Sequence, residues 1–188
     1  NPGEVAGNGI DDDGNGYVDD VHGYNFLSTY NVETGKGNLM PVSWDRTGDN
    51  GHGTHVAGTV AAVNNNGIGV SGVAGGDGTP DSGIRMITCQ LFSGNASGGT
   101  LNRAQAYKYA ADMGASILQC SFGQDAGAIV SDDDFETLYS FEADALNYFM
   151  THPSESNPVS GNFAIFASGN EGKDVSAYPA AHNRYISV

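Results

Sequence analysis

Apolar positions in residues 1–50 come only in short pieces such as 24–27, and Gly, Asn and Asp fill the intervals. Such a stretch predicts a long loop region organised by a ligand rather than by its own hydrophobic contacts. The texture changes at His52. Residues 52–63 are mostly small residues that suit a helix, interrupted at Gly58, and Asn64-Asn65-Asn66-Gly67 comes next, which predicts a helix and then a tight loop. The mostly apolar run 84–92, bounded by Gly- and Ser-rich stretches, predicts a buried strand. Thr100 is placed to cap a helix reaching Met113, with Gly114 as its left-handed stop. Residues 115–121 predict a strand and 132–151 a helix, with Phe135, Leu138, Tyr139, Leu146, Phe149 and Met150 at helical spacing, acidic residues at its start and Pro153 past its end. Two more strands are expected at 163–167 and 185–188. Strands apolar on both faces and alternating with helices imply a mostly parallel sheet covered on both sides, an α/β fold of three layers. Because the chain stops inside its last strand signal, residues 1–188 read as an incomplete fragment of one domain, with a loop region at 1–50 and a parallel α/β core at 51–188.

Charge narrows the possible partners. Asp and Glu outnumber Lys and Arg 22 to 7, for a formal charge of −15. That balance argues against nucleic acid, whose binding depends on neutralising phosphates, and against an anionic membrane surface. It suits a hard cation, since Ca²⁺ gathers carboxylate and carbonyl oxygens. No apolar run is long enough for a membrane span, and the opening Asn1-Pro2-Gly3-Glu4 has no methionine and no leader pattern, so a processed or trimmed product is expected. Cys89 and Cys120 lie in separate apolar stretches and read first as buried small hydrophobes, with a disulfide left open.

The chemistry concentrates in two places. In Asp49-Asn50-Gly51-His52-Gly53-Thr54-His55-Val56-Ala57-Gly58-Thr59, a histidine opens a helix between glycines, which suits a general base facing a cleft. Taken alone, a pair of histidines packing or capping a helix end is the commoner reading, whereas zinc lacks a nearby third ligand. The second place is Phe166-Ala167-Ser168-Gly169-Asn170-Glu171-Gly172. An asparagine held at a strand end by flanking glycines can aim its amide at an oxygen that turns negative as a carbonyl is attacked.

The first string resembles the histidine motif of the subtilisin-like peptidases, and the second resembles their oxyanion-hole segment. That resemblance implies a subtilisin-like fold, with His52 as catalytic base, His55 structural and packed inside, and Asn170 as oxyanion donor. Ser97-Gly98-Gly99 and Ser121-Phe122-Gly123 resemble the two backbone segments that pair with an extended peptide in that family. Small side chains suit strand addition there. Tyr178-Pro179-Ala180 and the closing Tyr185-Ile186-Ser187-Val188 resemble the family's stretch beyond the asparagine. The family's aspartate, which ends an earlier strand, and its serine, in a later Gly-Thr-Ser-Met-Ala type motif, have no counterpart here. Asp45 and Asp49 belong to the loop of the histidine motif. Triad groups work as a unit, so the 188 residues alone are expected to be inactive.

The loop 8–20 places oxygens at alternate positions before Gly16, like the start of a DxDxDG calcium loop. Asp11, Asp13, Asn15 and the carbonyl of Tyr17 would take its first, third, fifth and seventh places. His22 stands where an EF-hand has its bidentate glutamate, so Asp19 or Asp20 would close the site. Asn64 to Val70 resembles the family's other calcium loop with a one-residue difference in length. The chain as a whole supports two readings. The first is part of a secreted or cell-surface serine endopeptidase that acts on peptides or proteins and is completed by the N- and C-terminal parts of its own domain. The second is a non-catalytic, calcium-stabilised binding domain on the same fold.

Overall fold

The structure is a computed structural model and describes residues 1–27, 51–93, 96–154, 161–175 and 177–188. The expected loop region is therefore described only to residue 27, and Asp45, Asp49 and Asn50 lie outside the described residues. The chain divides into two compact units, Asn1–Asn25 with Leu39–Ala96, and Phe26–Asn38 with Ser97–Val188.

In the first unit, β1 (Gly23–Asn25) pairs in parallel with β2 (Thr88–Gln90), Gly23 opposite Thr88 and Asn25 opposite Gln90. Tyr24 is wholly buried, and the ring of Tyr17 meets it edge-on at 4.8 Å. Gly23 has φ +124°, and a Cβ there would run into the Thr88 backbone. Both facts exclude a side chain. Gly23→Ala in the full-length protein should therefore cost more than about 1 kcal/mol and lower the thermal midpoint; an unchanged midpoint would show that β1 does not need this approach. The helix α1 (His52–Ala61) starts where expected and ends two residues early. The predicted strand at 84–92 is shorter than its apolar run. Only 88–90 pair with β1, while Ile84, Met86 and Ile87 are exposed, so apolarity alone overstated the strand.

Two short strands come next, β3 (Phe92–Ser93) and β4 (Ala96–Ser97), paired in a small sheet. The second unit is then a parallel sheet with helices against it. The strand β5 (Ile117–Cys120) pairs with β6 (Phe163–Phe166), and β6 with β7 (Ile186–Ser187), all parallel. Side chains alternate along these strands. Leu118, Cys120, Ala164 and Phe166 are buried, whereas Ile117, Gln119 and Phe163 are exposed. The helix α2 (Thr100–Asp112) lies on the buried face, with the Tyr107 ring edge-on to Phe166 at 6.4 Å. Ala104, Ala106, Ala110 and Ala111 are buried along it, and their small size suits close helix packing. Across from α2 packs a helix that buries Ala143, Leu146 and Phe149. Full burial of a Leu or Phe is worth roughly 1.5–3 kcal/mol.

Two expectations change here. The helix predicted at 132–151 is two helices, α3 (Asp132–Leu138) and α4 (Ser140–Thr151), broken at Tyr139 with φ −121° and ψ 39°. The two pieces serve different surfaces: Phe135 of α3 stacks on Tyr178 and Tyr139, while α4 turns its apolar side to α2. Ser131 caps α3, accepting the Asp134 N–H at 3.1 Å. Gly99 rather than Thr100 occupies the cap of α2, because the Asn102 side-chain oxygen accepts the Gly99 N–H at 3.0 Å. Gly114 does stop that helix, at φ +77°. Helices α2 and α4 cover one face of the three-stranded sheet, and Ile117, Phe163 and Ile186 stand exposed among the described residues. Neither cysteine forms a disulfide, which closes that question. Burial pushes the Cys89 thiol up to about 12, far from a reactive thiolate.

Candidate active site

His52 is the first residue of α1, and Gly51 in the cap position has φ +72°. The Gly51 carbonyl accepts the His55 N–H at 2.9 Å, closing the first turn. His52 is exposed, and the space a Cβ would enter at Gly51 or Gly53 is open. The helix start is thus accessible, as a base facing a cleft requires. His55 is exposed as well, not packed inside as the resemblance implied, because α1 buries none of its residues.

In the second unit the parallel register gathers two of the expected segments. Cys120 is opposite Phe166, so Ser121-Phe122-Gly123 and 167–170 leave neighbouring strands at the same, carboxyl end. Open α/β sheets bind ligands at that end. The ladder continues past the strands: Ala167 N–H donates to the Cys120 carbonyl at 3.0 Å, and Ser168 N–H to the Val188 carbonyl at 2.8 Å. Gly169 then turns the chain at φ +100°, a value glycine allows, and Asn170 comes after it, exposed. The Asn170 backbone N–H donates to Glu171 Oε2 at 3.0 Å. Opposite, Gln124 N–H donates to the Tyr178 carbonyl at 2.7 Å, which ties the 121–124 segment to 178–182. Tyr178 is fixed in turn by its hydroxyl on Asp132 Oδ1 at 2.9 Å, and burial first, then that carboxylate, push the phenol up to about 12.

Ser97-Gly98-Gly99 leads into α2. Its Gly98–Gly99 peptide unit is held at both ends, the N–H by Asn102 and the carbonyl by Arg103 Nη1 at 3.0 Å. Arg103 also reaches Glu142 Oε1 through Nε at 2.9 Å and Nη2 at 2.6 Å. Burial pushes the Glu142 carboxyl up, and the guanidinium works against that shift. Sequence reasoning missed Arg103 and Glu142, since nothing in the chain marks residues on two different helices as partners.

The acidic loop is braced from within. Asp11 Oδ2 accepts the Gly16 N–H at 2.7 Å, Asp13 Oδ1 the Asn15 N–H at 3.0 Å, and Asn15 Oδ1 the Tyr17 N–H at 2.7 Å. Asp19 gives its two oxygens to the Asn8 and Gly9 N–H groups. Asp20 is fully buried, and Asp13 and Asp20 approach Glu4 closely enough for one ligand oxygen from each to lie within 4.8 Å of the others. Glu4 lies outside the DxDxDG spacing, which is why that pattern did not find it. The Asn1 side-chain amide, chief among several donors, holds Asp13 below the usual carboxylate range. Asp11 Oδ1 is enclosed with no donor directed at it. An inward oxygen without a donor, beside three converging carboxylates, fits a hard cation of the calcium type. In the second expected calcium loop, the Asn64 and Asn65 amides donate to the Gly76 and Asp77 carbonyls at 2.8 Å each.

The profile of the Subtilase family matches residues 15–188, nearly the whole chain. The chain belongs to the subtilase family. Among relatives of this subtilase, subtilisin-like protease 1 of Plasmodium falciparum is 32% identical over 154 residues, which span 80% of the chain and 19% of that protein. Thermitase of Thermoactinomyces vulgaris is 32% identical over 139 residues, 74% of the chain and 40% of thermitase. The subtilase chain thus spans well under half the length of these relatives. Among solved structures, sphericase superposes with a TM-score of 0.59 at 25% identity, covering 87% of the chain and 44% of sphericase. The α/β fold with parallel strands is that of subtilisin-like enzymes, present in part. No helix among the described residues is long and apolar enough to cross a membrane.

Proposed function

We propose that this chain is the central part of the catalytic domain of a secreted or cell-surface serine endopeptidase. His52 is the general base, and Asn170 donates its side-chain amide to the oxyanion. The observation that carries this reading is the placement of Asn170 and Ser121–Gly123 at one carboxyl edge of a parallel sheet, in a chain whose family profile includes the His52 motif. The nucleophilic serine and the aspartate that orients His52 belong to segments of the domain outside these 188 residues. In the complete domain the serine attacks a peptide carbonyl, and His52 takes its proton and passes it to the leaving amine. Meanwhile Asn170 stabilises the charge on the carbonyl oxygen. Ser97–Gly99 and Ser121–Gly123 flank the extended substrate and pair with it as added strands. The 188 residues by themselves hydrolyse nothing. Full-length protein should cleave an extended peptide and take up a fluorophosphonate probe at serine. A protein that binds peptides in a calcium-dependent way but neither cleaves nor labels is the non-catalytic binding domain instead.

Calcium completes the reading. Asp11, Asp13, Asn15, the Tyr17 carbonyl, Asp19 and Asp20 are the residues expected to serve the site, and Glu4 adds a carboxylate close to Asp13 and Asp20. The ion offsets repulsion among the carboxylates and takes no part in proton transfer. At a hundredfold excess over its Kd, Ca²⁺ should stabilise the full-length protein by about 2.7 kcal/mol, seen as a raised thermal midpoint. Asp13→Asn, at an exposed position, should shrink that gain. A midpoint equally responsive to Ca²⁺ in wild type and variant would remove calcium from this loop.

A further inference from the structure

Arg103 is a cation placed where the fold does not require one. Its side chain is 14% exposed and that of Glu142 only 1%, and Glu142 sits beside the apolar Ala143 and Leu146 on α4. Two buried ions must give up their hydration, and well-packed apolar residues of similar volume generally stabilise as well or better. The geometry shows what the pair does instead. Glu142 Oε1 takes Nε at 2.9 Å and Nη2 at 2.6 Å, which orients the planar guanidinium, and Nη2 also lies 3.4 Å from Thr100 Oγ1. The remaining nitrogen, Nη1, donates to the Gly98 carbonyl at 3.0 Å. Asn102 grips the N–H of the same peptide unit, accepting from Gly99 at 3.0 Å, and Asn102 Nδ2 is anchored on the Phe26 carbonyl at 2.7 Å.

Consecutive glycines are the residues whose ordering on binding costs most. Here their shared peptide unit is immobilised before any ligand arrives. We infer that Arg103, oriented by Glu142, is a positioning residue for peptide substrate: it fixes the Gly98–Gly99 peptide unit so that the 97–99 strand is ready to pair with the part of an extended peptide remote from the scissile bond. The inference rests on the protease reading and adds a determinant of substrate length to it. Lysine is a poor replacement for this arginine, because a compact ammonium on a flexible stem lacks the planar fork that spans Glu142 and the Gly98 carbonyl in one fixed geometry.

The test compares two chromogenic peptides in the full-length protein, one with four residues on the acyl side of the scissile bond and one with two. Wild type should prefer the longer one. Arg103→Met and Arg103→Lys should each raise KM for the long peptide about tenfold, the cost of ordering the strand during binding, with kcat and the short peptide little changed. Glu142→Gln, which keeps the shape and one acceptor, should show a smaller shift of the same kind, and it serves as the folded comparison if an Arg103 variant does not accumulate. Thermal midpoints identify loss of fold, which lowers the active fraction for both peptides equally. A length preference unchanged from wild type in a folded Arg103 variant, or in Glu142→Gln where no Arg103 variant folds, overturns the inference, as does equal loss on both peptides per folded molecule. If wild type cleaves both peptides without preferring the longer, the inference falls and the protease reading stands. Cleavage of neither by wild type removes the protease reading and the inference with it.

Discussion

In the full-length protein, His52→Ala should lower kcat/KM for peptide hydrolysis by at least about 10⁴-fold while leaving the thermal midpoint nearly where it was. The size of the loss comes from the way a base and its nucleophile act together, since removing either costs about as much as removing both. The small effect on stability comes from the structure. His52 is exposed at the first position of α1, so its removal leaves no cavity, and alanine is the better helix former. Single-turnover and steady-state assays on the purified variant, with a melting curve alongside, check both parts. A few per cent of wild-type turnover surviving in the variant would take the base assignment away from His52, and His55, one turn along the same exposed helix start, would be tested next.

Asn170→Leu should lower kcat by about 10²–10³ while KM moves little, because an oxyanion donor acts on charge that exists only in the transition state. A residue that merely shaped the turn would behave differently. The turn here rests on the Asn170 backbone and its neighbours: Gly169 supplies the positive φ, and the Asn170 N–H donates to the Glu171 side chain at Oε2. Leucine retains that N–H and leaves Gly169 in place, so the loop should keep its course and the midpoint should hold. A midpoint lowered by many degrees, with kcat per folded molecule unchanged, would mean that the Asn170 side chain holds the loop and that the oxyanion donor lies elsewhere.

Sequence periodicity located the helix starts at His52, Thr100 and Asp132 and the strands around 117–120 and 163–166, because local rules govern caps and short apolar runs. It failed where a distant surface decides. The run 132–151 is one helix by its spacing, yet Tyr139 breaks it because Phe135 must meet Tyr178 while Leu146 and Phe149 meet α2. The exposure of His55 and of the 84–87 stretch was equally illegible, since no periodicity reports what stands opposite a face. The candidate site divides in the same way. His52 and Asn170 could be picked out because their motifs are contiguous strings. Arg103 with Glu142, and Glu4 with Asp13 and Asp20, are meetings of separated residues, and only folded geometry brings them together.

The parallel ladder between β5 and β6 has a consequence for how such a chain tolerates change. Cys120 opposite Phe166, extended by the Ala167 and Ser168 hydrogen bonds, fixes the spacing between Ser121–Gly123 and Asn170 by strand register. The intervening forty-odd positions, with α3 and α4 among them, contribute nothing to that spacing through their number. Insertions and deletions in the surface turns of this long crossover can accumulate without moving the asparagine, whereas one residue added or lost inside β5 or β6 shifts the segment that follows it, Ser121–Gly123 or Asn170, by about 3.3 Å relative to the other and turns it to the other side of the sheet.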